Sequence, residues 1–331
     1  MKKYGTGIST IMFGFGYGEG FPDHSVATVE ITEDEIIRVK TAAADVGQGV
    51  DTVVAQIVSE VLNIDPAYIK LQQADTHSTK NAGSTSATRQ TFFTGNAVKN
   101  AAEELLSKIY HYASLEFTSN HPEMEVDSGE IFLHEAPEEE RFSYWELAEK
   151  VKERDDNLQA EGSFFPKTYE PDLRTGQAEK VYVAYTFMTQ EVEVEVNINT
   201  GQVEILNINS AIDLGKAINP KGAEGQIEGG TAQGIGMALM EDQIIEDGIT
   251  INPNLSGYII PTAMDIPPMQ SRLVEDEASD GPFGAKGIGE PCTIGAAPAI
   301  ANAVYDAIGV RFYELPITPE KILKALKEKE K

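Results

Sequence analysis

Val192, Val194, Val196 and Ile198 alternate with polar residues, and this period of two constrains the chain more than any other feature. It is satisfied by a strand with one face buried and the other wet. Asn199-Thr200-Gly201-Gln202 then supplies turn chemistry, and residues 203–208 resume the apolar pattern, which predicts a β-hairpin. Residues 26–31 and 36–42, joined by Thr32-Glu33-Asp34-Glu35, predict another. A shift of 168 positions (45 to 213) lays Asp45-Val46-Gly47 on Asp213-Leu214-Gly215 and Glu33 on Gly201. Each hairpin thus leads into an Asp-apolar-Gly loop and then a helix, the pattern of an internal duplication.

Helices are predicted where the period lengthens. Val50, Val53, Val54, Ile57, Val58, Val61 and Leu62 fall on one stripe, and residues 69–72 form a short strand candidate. A long helix over 94–115 places Ala101, Leu105, Ile109 and Tyr112 inward, and a Gly-rich helix spans about 223–240. Thr318 as N-cap and Pro319 at N1 start a closing helix that carries Ile322, Leu323 and Leu326. Residues 119–175 are acidic, with Glu138-Glu139-Glu140 and Asp155-Asp156 around a short helix. A capping box, Ser143 with Glu146, opens that helix. The stretch reads as a solvated insertion or a connector. The fold class expected is α+β, two lobes with mixed sheets and flanking helices.

A net charge of −27 excludes a nucleic-acid surface and an anionic membrane as partners, since both repel an acidic protein. Over 331 residues with 41% hydrophobic composition, a sizeable core is expected. Cys292 is the sole cysteine, so the chain holds neither an internal disulfide nor a four-cysteine iron–sulfur cluster. His24, His77, His111, His121 and His134 show no metal-ligand spacing. No stretch reaches the roughly 20 apolar residues of a membrane span. Gly5, Gly7, Gly14, Gly16 and Gly18 break any signal-like apolar run after Met1-Lys2-Lys3, and a cytoplasmic protein is expected.

Four segments can carry chemistry. Gly47-Gln48-Gly49 lies between a strand and a helix, where a backbone can approach a ligand and a helix N-terminus offers amides to an anion; an ordinary βα turn is the alternative. Gly83-Ser84-Thr85-Ser86-Ala87-Thr88-Arg89-Gln90 brings four hydroxyls and a guanidinium ahead of the long helix. It is either an anion cradle or a polar helix start. Gly225-Gln226-Ile227-Glu228-Gly229-Gly230 is either a close-packed helix or a helix that points the Gln226 amide at a ligand. Gly284-Ala285-Lys286-Gly287-Ile288-Gly289-Glu290-Pro291-Cys292 places Glu290 before a proline, which disfavours helical backbone and predicts an extended residue. That carboxylate is either a general base or a charge at a helix start.

Taken together, in this order, these segments resemble the molybdenum-binding region of the xanthine dehydrogenase and aldehyde oxidase family. The similar stretches are residues 45–49, 83–90 with Thr94-Gly95-Asn96-Ala97-Val98, 225–236, and Lys286-Gly287-Ile288-Gly289-Glu290-Pro291. The likeness is to the C-terminal half of the family's molybdenum subunit. It is nearest to members that split this subunit into two polypeptides, such as the medium molybdopterin subunit of bacterial nicotinate dehydrogenase.

The resemblance implies a molybdenum-cofactor-binding domain with a first lobe over 1–118, the acidic insertion over 119–178, and a second lobe over 179–331 carrying the Glu290 loop. It implies Glu290 as active-site base, and Gln226 as hydrogen-bond donor to an oxygen ligand of molybdenum. Gly47, Gln48 and Gly49, with Ser84, Thr85, Ser86, Ala87 and Thr88, would hold the pterin and its phosphates. The metal would be held through the pterin rather than by protein ligands. The cofactor implied is a molybdopterin dinucleotide in cytosine form, with a sulfido or selenido ligand. Partners implied are a large molybdopterin subunit, an iron–sulfur subunit and an FAD subunit. The reaction implied is oxidation of an N-heterocycle or aldehyde with oxygen drawn from water. Cys292 departs from the family, many of whose members have a second proline there. Rival readings are the matching half of a xanthine or carbon monoxide dehydrogenase and a non-catalytic cofactor-binding scaffold.

Overall fold

The computed structural model describes residues 1–73, 75–117, 123–133 and 141–329. The Glu138-Glu139-Glu140 cluster, His121 and His134 lie outside them. Strand β1 (Lys2–Gly14) opens the chain. Strands β2 (Ser25–Ile31) and β3 (Ile37–Thr41) then form the first expected hairpin, in register from Ala27 opposite Thr41 to Ile31 opposite Ile37. Helix α1 (Val50–Leu62) follows, burying Val50, Val54, Ile57, Val58 and Leu62, while Val53 and Val61 are half-buried at the edge of the stripe. Strand β4 (Ile69–Gln73) returns parallel to β3.

Helix α2 (Gln90–Glu116) starts four residues before the expected position, 94. Phe92 and Phe93 are poor helix formers on propensity alone, yet both are buried, and packing outweighs a preference worth tenths of a kcal/mol. Ala101, Leu105 and Ile109 face inward as expected. Tyr112 is half-buried, with its hydroxyl donating to the Asp156 carboxylate, and Ala113 takes the buried place instead.

The acidic stretch is more structured than a connector. Strands β5 (Met124–Asp127), β6 (Glu130–Leu133) and β7 (Arg141–Ser143) form a small antiparallel sheet, and the capping box of helix α3 (Tyr144–Lys152) is complete. Strand β8 (Gln159–Phe164) pairs antiparallel with β2, giving the sheet order β4-β3-β2-β8.

Strands β9 (Tyr185–Asn197) and β10 (Val203–Asp213) form the second expected hairpin, turned at Gly201 with φ 78°. Helix α4 (Pro220–Leu239), a two-residue hairpin of β11 (Ile245–Glu246) and β12 (Ile249–Thr250), and β13 (Met269–Val274) come next. Strand β13 runs parallel to β10, and the sheet order is β1-β9-β10-β13. A short helix α5 (Pro291–Ile294), helix α6 (Ala296–Ile308) and helix α7 (Pro319–Lys329) end the chain. Val192, Val194, Val196, Ile208, Ile235, Ile300, Val304 and Ile322 are buried in one core cluster.

The chain forms two compact units. The N-terminal unit comprises residues 14–184 and 277–287; the C-terminal unit comprises 1–13, 185–276 and 288–331. The serial division at 118 and 178 is a reading of the sequence, and these units cut the chain elsewhere. The first strand lies beside β9, and β8 beside β2, so both the opening residues and the acidic stretch are built into sheets. Among the described residues no helix is long and apolar enough to cross a membrane.

Candidate functional site

Asp45 organises the first loop of the N-terminal unit. Its Oδ1 accepts the amides of Gly47 at 2.7 Å and Gly49 at 3.4 Å, and its Oδ2 accepts that of Asp51 at 3.3 Å. Partial burial pushes the carboxyl up, but the amides of Gly47, Asp51 and Gly49 outweigh it and hold the group below the usual carboxylate range. Gly47 (φ 102°) and Gly49 (φ 82°) occupy the left-handed region that favours glycine. A Cβ built on either would meet no atom within 4 Å, so the space beside both is open. Gln48 folds back on its own loop, donating to the Ala44 carbonyl at 3.2 Å and accepting from the Val46 amide at 2.7 Å. Asp45 thus takes up the Gly49 and Asp51 amides of the helix start that was expected to offer amides to an anion. What stays open is the side-chain-free surface of Gly47 and Gly49.

Residues 83–88 are fastened to this loop by Thr85, whose hydroxyl donates to the Ala44 carbonyl at 2.9 Å and accepts the Ala44 amide at 3.1 Å. Arg89 lies beneath, 1% exposed. Its Nη1 donates to the carbonyls of Ala82 at 2.6 Å and Ser84 at 3.1 Å, and Nη2 to that of His24 at 2.6 Å. Nη2 also lies 2.6 Å from Asp23. The guanidinium expected to greet a ligand is turned inward, where those buried carbonyls and Asp23 need its donors. Ser84 and Ser86 are exposed, and Ser86 Oγ shares a 2.6 Å hydrogen bond with the Tyr17 hydroxyl. Ala87 (φ 52°) and Thr88 (φ 53°) are consecutive left-handed residues without a glycine.

In the C-terminal unit, α4 begins at Asn219, whose side chain accepts the Gly222 amide at 2.9 Å, followed by Pro220. A Cβ on Gly230 would come within 2.6 Å of Cys292, and one on Gly234 within 2.6 Å of Ala296. These glycines let α4 approach α5 and α6. Gly225 and Gly229 have nothing within 4 Å of a built Cβ, and Gln226 is half-buried beside them. Glu290 is half-buried at the start of α5, with φ −60° and ψ −36°. The extended backbone expected before Pro291 is thus corrected. The Glu290 carbonyl accepts the amides of Thr293 at 3.0 Å and Ile294 at 3.2 Å, so the residue joins the first turn of α5. Its side chain makes no capping hydrogen bond to the helix. Cys292 is buried, its Sγ 2.9 Å from the Ile288 carbonyl, and burial pushes the thiol up to about 12. It is a packing residue against α4 and a poor nucleophile.

The structure therefore brings Gly47, Gln48 and Gly49 together with Ser84, Thr85, Ser86, Ala87 and Thr88 in one unit, and holds Gln226 and Glu290 in the other. Sequence reasoning missed Gly16, Tyr17 and Asp23. The Gly16 amide donates to the Ala87 carbonyl at 2.9 Å, and the Tyr17 amide to Asp23 at 3.1 Å. The available signal was the recurrence of Gly14, Gly16 and Gly18 around Phe15 and Tyr17, a glycine spacing suited to close backbone approach.

A family model described as "Molybdopterin cofactor-binding domain" matches residues 1–267. The chain is 33% identical to the "6-hydroxypseudooxynicotine dehydrogenase complex subunit gamma" of Paenarthrobacter nicotinovorans, over 97% of this chain and 39% of that one. The solved aldehyde oxidoreductase from Desulfovibrio gigas is 32% identical with a TM-score of 0.80, covering 98% of this chain and 33% of that one. Quinoline 2-oxidoreductase from Pseudomonas putida 86 is 26% identical with a TM-score of 0.83, covering 99% and 42%. The chain belongs to the molybdopterin cofactor-binding domain family, of the xanthine dehydrogenase and aldehyde oxidoreductase kind, and has its α+β fold. It spans about two fifths or less of the length of these relatives.

Proposed function

We propose that the chain is the cofactor-binding part of a molybdenum hydroxylase that oxidises an N-heterocycle or an aldehyde with water as oxygen source. The observation that carries this reading is the fastened pair of loops at 43–49 and 83–88, whose glycines and serines leave an open face. A Cβ-free surface at Gly47 and Gly49 fits a flat ring system, and the exposed hydroxyls of Ser84 and Ser86 fit phosphate oxygens. The chemistry the cofactor supplies when bound is Lewis acidity and a two-electron sink.

The remaining roles belong to this chain. Glu290 takes the proton from the water that provides the oxygen, with its backbone fixed at the head of α5. Gln226 offers its amide as a donor. The pterin and phosphates rest on Gly47, Gln48, Gly49 and residues 84–88.

The same reading gives the cofactor a cytosine dinucleotide form with a sulfido or selenido ligand. It also assigns a cytoplasmic complex with a large molybdopterin subunit, an iron–sulfur subunit and an FAD subunit. Two observations favour such partners. The P. nicotinovorans relative is named as a complex subunit. Residues 241–265, which hold Glu241, Asp242, Glu246, Asp247 and Asp265 but no Lys or Arg, expose Ile249, Ile251, Leu255, Ile259 and Met264. Large apolar side chains exposed along one stretch favour a place where another polypeptide sits. The names of two relatives accord with a nicotinate-like heterocycle, and those of two others with an aldehyde.

The test is Glu290→Gln in the purified complex, with molybdenum content and turnover measured on one preparation. A general base is typically worth about 10²–10⁴-fold, so turnover falls that far while metal content holds. Near-normal turnover in a fully metallated variant removes the assignment.

A further inference from the structure

The loop that carries Ser84 and Ser86 has a conformation its own residues do not favour. Ala87 and Thr88 both have positive φ, a region disfavoured for residues with a Cβ, and a β-branched residue such as Thr88 is an outlier there. Such a pose persists only where its surroundings over-determine it. The surroundings here are specific: the buried Arg89 fork binds the carbonyls of Ala82 and Ser84, the two residues flanking Gly83, and ties them to Asp23 and to the His24 carbonyl. Asp23 in turn accepts the amide of Tyr17, while the neighbouring Gly16 amide holds the Ala87 carbonyl. Gln90 adds a bond from its amide to the Ser84 carbonyl at 3.1 Å and another to Thr85 Oγ1 at 3.0 Å. Gly83 (φ 69°) leaves room for the guanidinium, since a Cβ there would lie 2.5 Å from Nη1. The carbonyls of Ala82, Ser84 and Ala87 are thus each held, while the side chains of Ser84 and Ser86 are exposed.

We infer that the Asp23–Arg89 pair is a positioning device: it clamps residues 83–88 in the left-handed pose that presents Ser84 and Ser86 to an anionic ligand. Neither residue touches that ligand. The inference deepens the cofactor reading and rests on it for the identity of the anion; the clamp itself is read without it.

The test uses the purified complex, with two readouts: pterin released per chain, and hydrogen exchange of the peptide spanning residues 83–90. Arg89→Lys keeps a charge opposite Asp23 but loses the fork. Pterin retention is expected to fall roughly tenfold, a factor that corresponds to about 1.4 kcal/mol, and loop exchange to rise. Adding Ala87→Gly and Thr88→Gly to that variant recovers part of the lost retention, because glycine adopts positive φ without the Cβ penalty. A residue that merely stabilised the unit would gain nothing from those glycines. If Arg89→Lys does not accumulate, Gly83→Ala, whose Cβ would come within 2.8 Å of Nη1, Cζ and Nη2 and so displace the whole fork, shows the same loss. Wild-type retention in Arg89→Lys, or no recovery with the glycines in a variant of native circular dichroism, overturns the clamp. Wild-type complex free of pterin overturns the cofactor reading instead, and exchange of residues 83–90 then decides the clamp alone.

Discussion

The two units run through the same sequence of elements and use it differently. The N-terminal unit reads β2-β3-α1-β4-α2 and the C-terminal unit β9-β10-α4-β13-α6. In each, an antiparallel hairpin is followed by a helix, a third strand parallel to the second, and a further helix. Each sheet gains an outer strand beside the first hairpin strand, β8 in one and β1 in the other. The helix that packs there meets glycine in both. A Cβ on Gly162 would lie 2.2 Å from the Ala101 amide nitrogen of α2, and one on Gly7 would lie 2.2 Å from that of Ala303 in α6. Yet β8 follows its unit's helices in sequence, whereas β1 precedes its hairpin. The architecture of a duplication is retained while the strand that completes each sheet arrives from the opposite end. The units also differ inside. The N-terminal unit buries an ion pair, Asp23–Arg89; the C-terminal unit buries a neutral set, with Gln190 donating to Ser210 at 3.1 Å and Thr231 at 2.9 Å.

That contrast between charged and neutral anchors yields the largest effect. Arg89→Leu leaves the Asp23 carboxylate buried and uncompensated, which is expected to cost about 3–5 kcal/mol. Gln190→Leu strands two hydroxyls that can find each other, for about 1–3 kcal/mol. Urea midpoints of both variants measure the gap. Equal losses show that the N-terminal unit does not depend on its charge pair.

The shared glycine contact comes next. Gly162→Ala and Gly7→Ala each push a methyl group into a helix backbone that cannot yield as a side chain would. Overpacking of this kind costs about 1–3 kcal/mol. Comparable falls in Tm are expected from the two. Tolerance of one and not the other breaks the equivalence of the outer strands.

The same glycines explain what the sequence showed and what it hid. The hairpins were legible because Val192, Val194 and Val196, like Ala27 and Val29, recur at every second residue with polar residues between them. The outer strands were not. Strand β1 turns Gly5, Gly7 and Ser9 inward, and β8 turns Ala160 and Gly162 inward. Their buried faces are small because helix backbones press on them, so no hydrophobic alternation marks them. In the candidate site, the glycine and hydroxyl loops were legible from composition. The direction of Arg89 was not, since only Asp23, distant in sequence, and the inner carbonyls reveal it. Glu290 was found by its setting on a Gly-rich loop, but the pre-proline rule misjudged its backbone. Its φ of −60° and ψ of −36° place it in the helical region despite the proline that follows.

The smallest effect separates the starts of α1 and α4 by charge. At α1 the Asp45 carboxylate accepts the amides of Gly49 and Asp51, and at α4 the neutral Asn219 amide oxygen accepts that of Gly222. Asp45→Ala and Asn219→Ala each remove a cap, worth about 1 kcal/mol near neutral pH. Their pH dependence should differ. The carboxyl of Asp45 lies below its usual range when folded, so its contribution is fully present above the unfolded value, about 3.9. It is lost as pH falls through the lower folded value, where both states carry the proton. The gap in urea midpoint between wild type and Asp45→Ala should therefore be constant from pH 7 to about 5 and shrink below about 4. The gap for Asn219→Ala should not change over that window, because the amide does not titrate. An Asp45→Ala gap that persists undiminished in acid means that the carboxylate's charge adds nothing to the cap, and the two helix starts are equivalent after all.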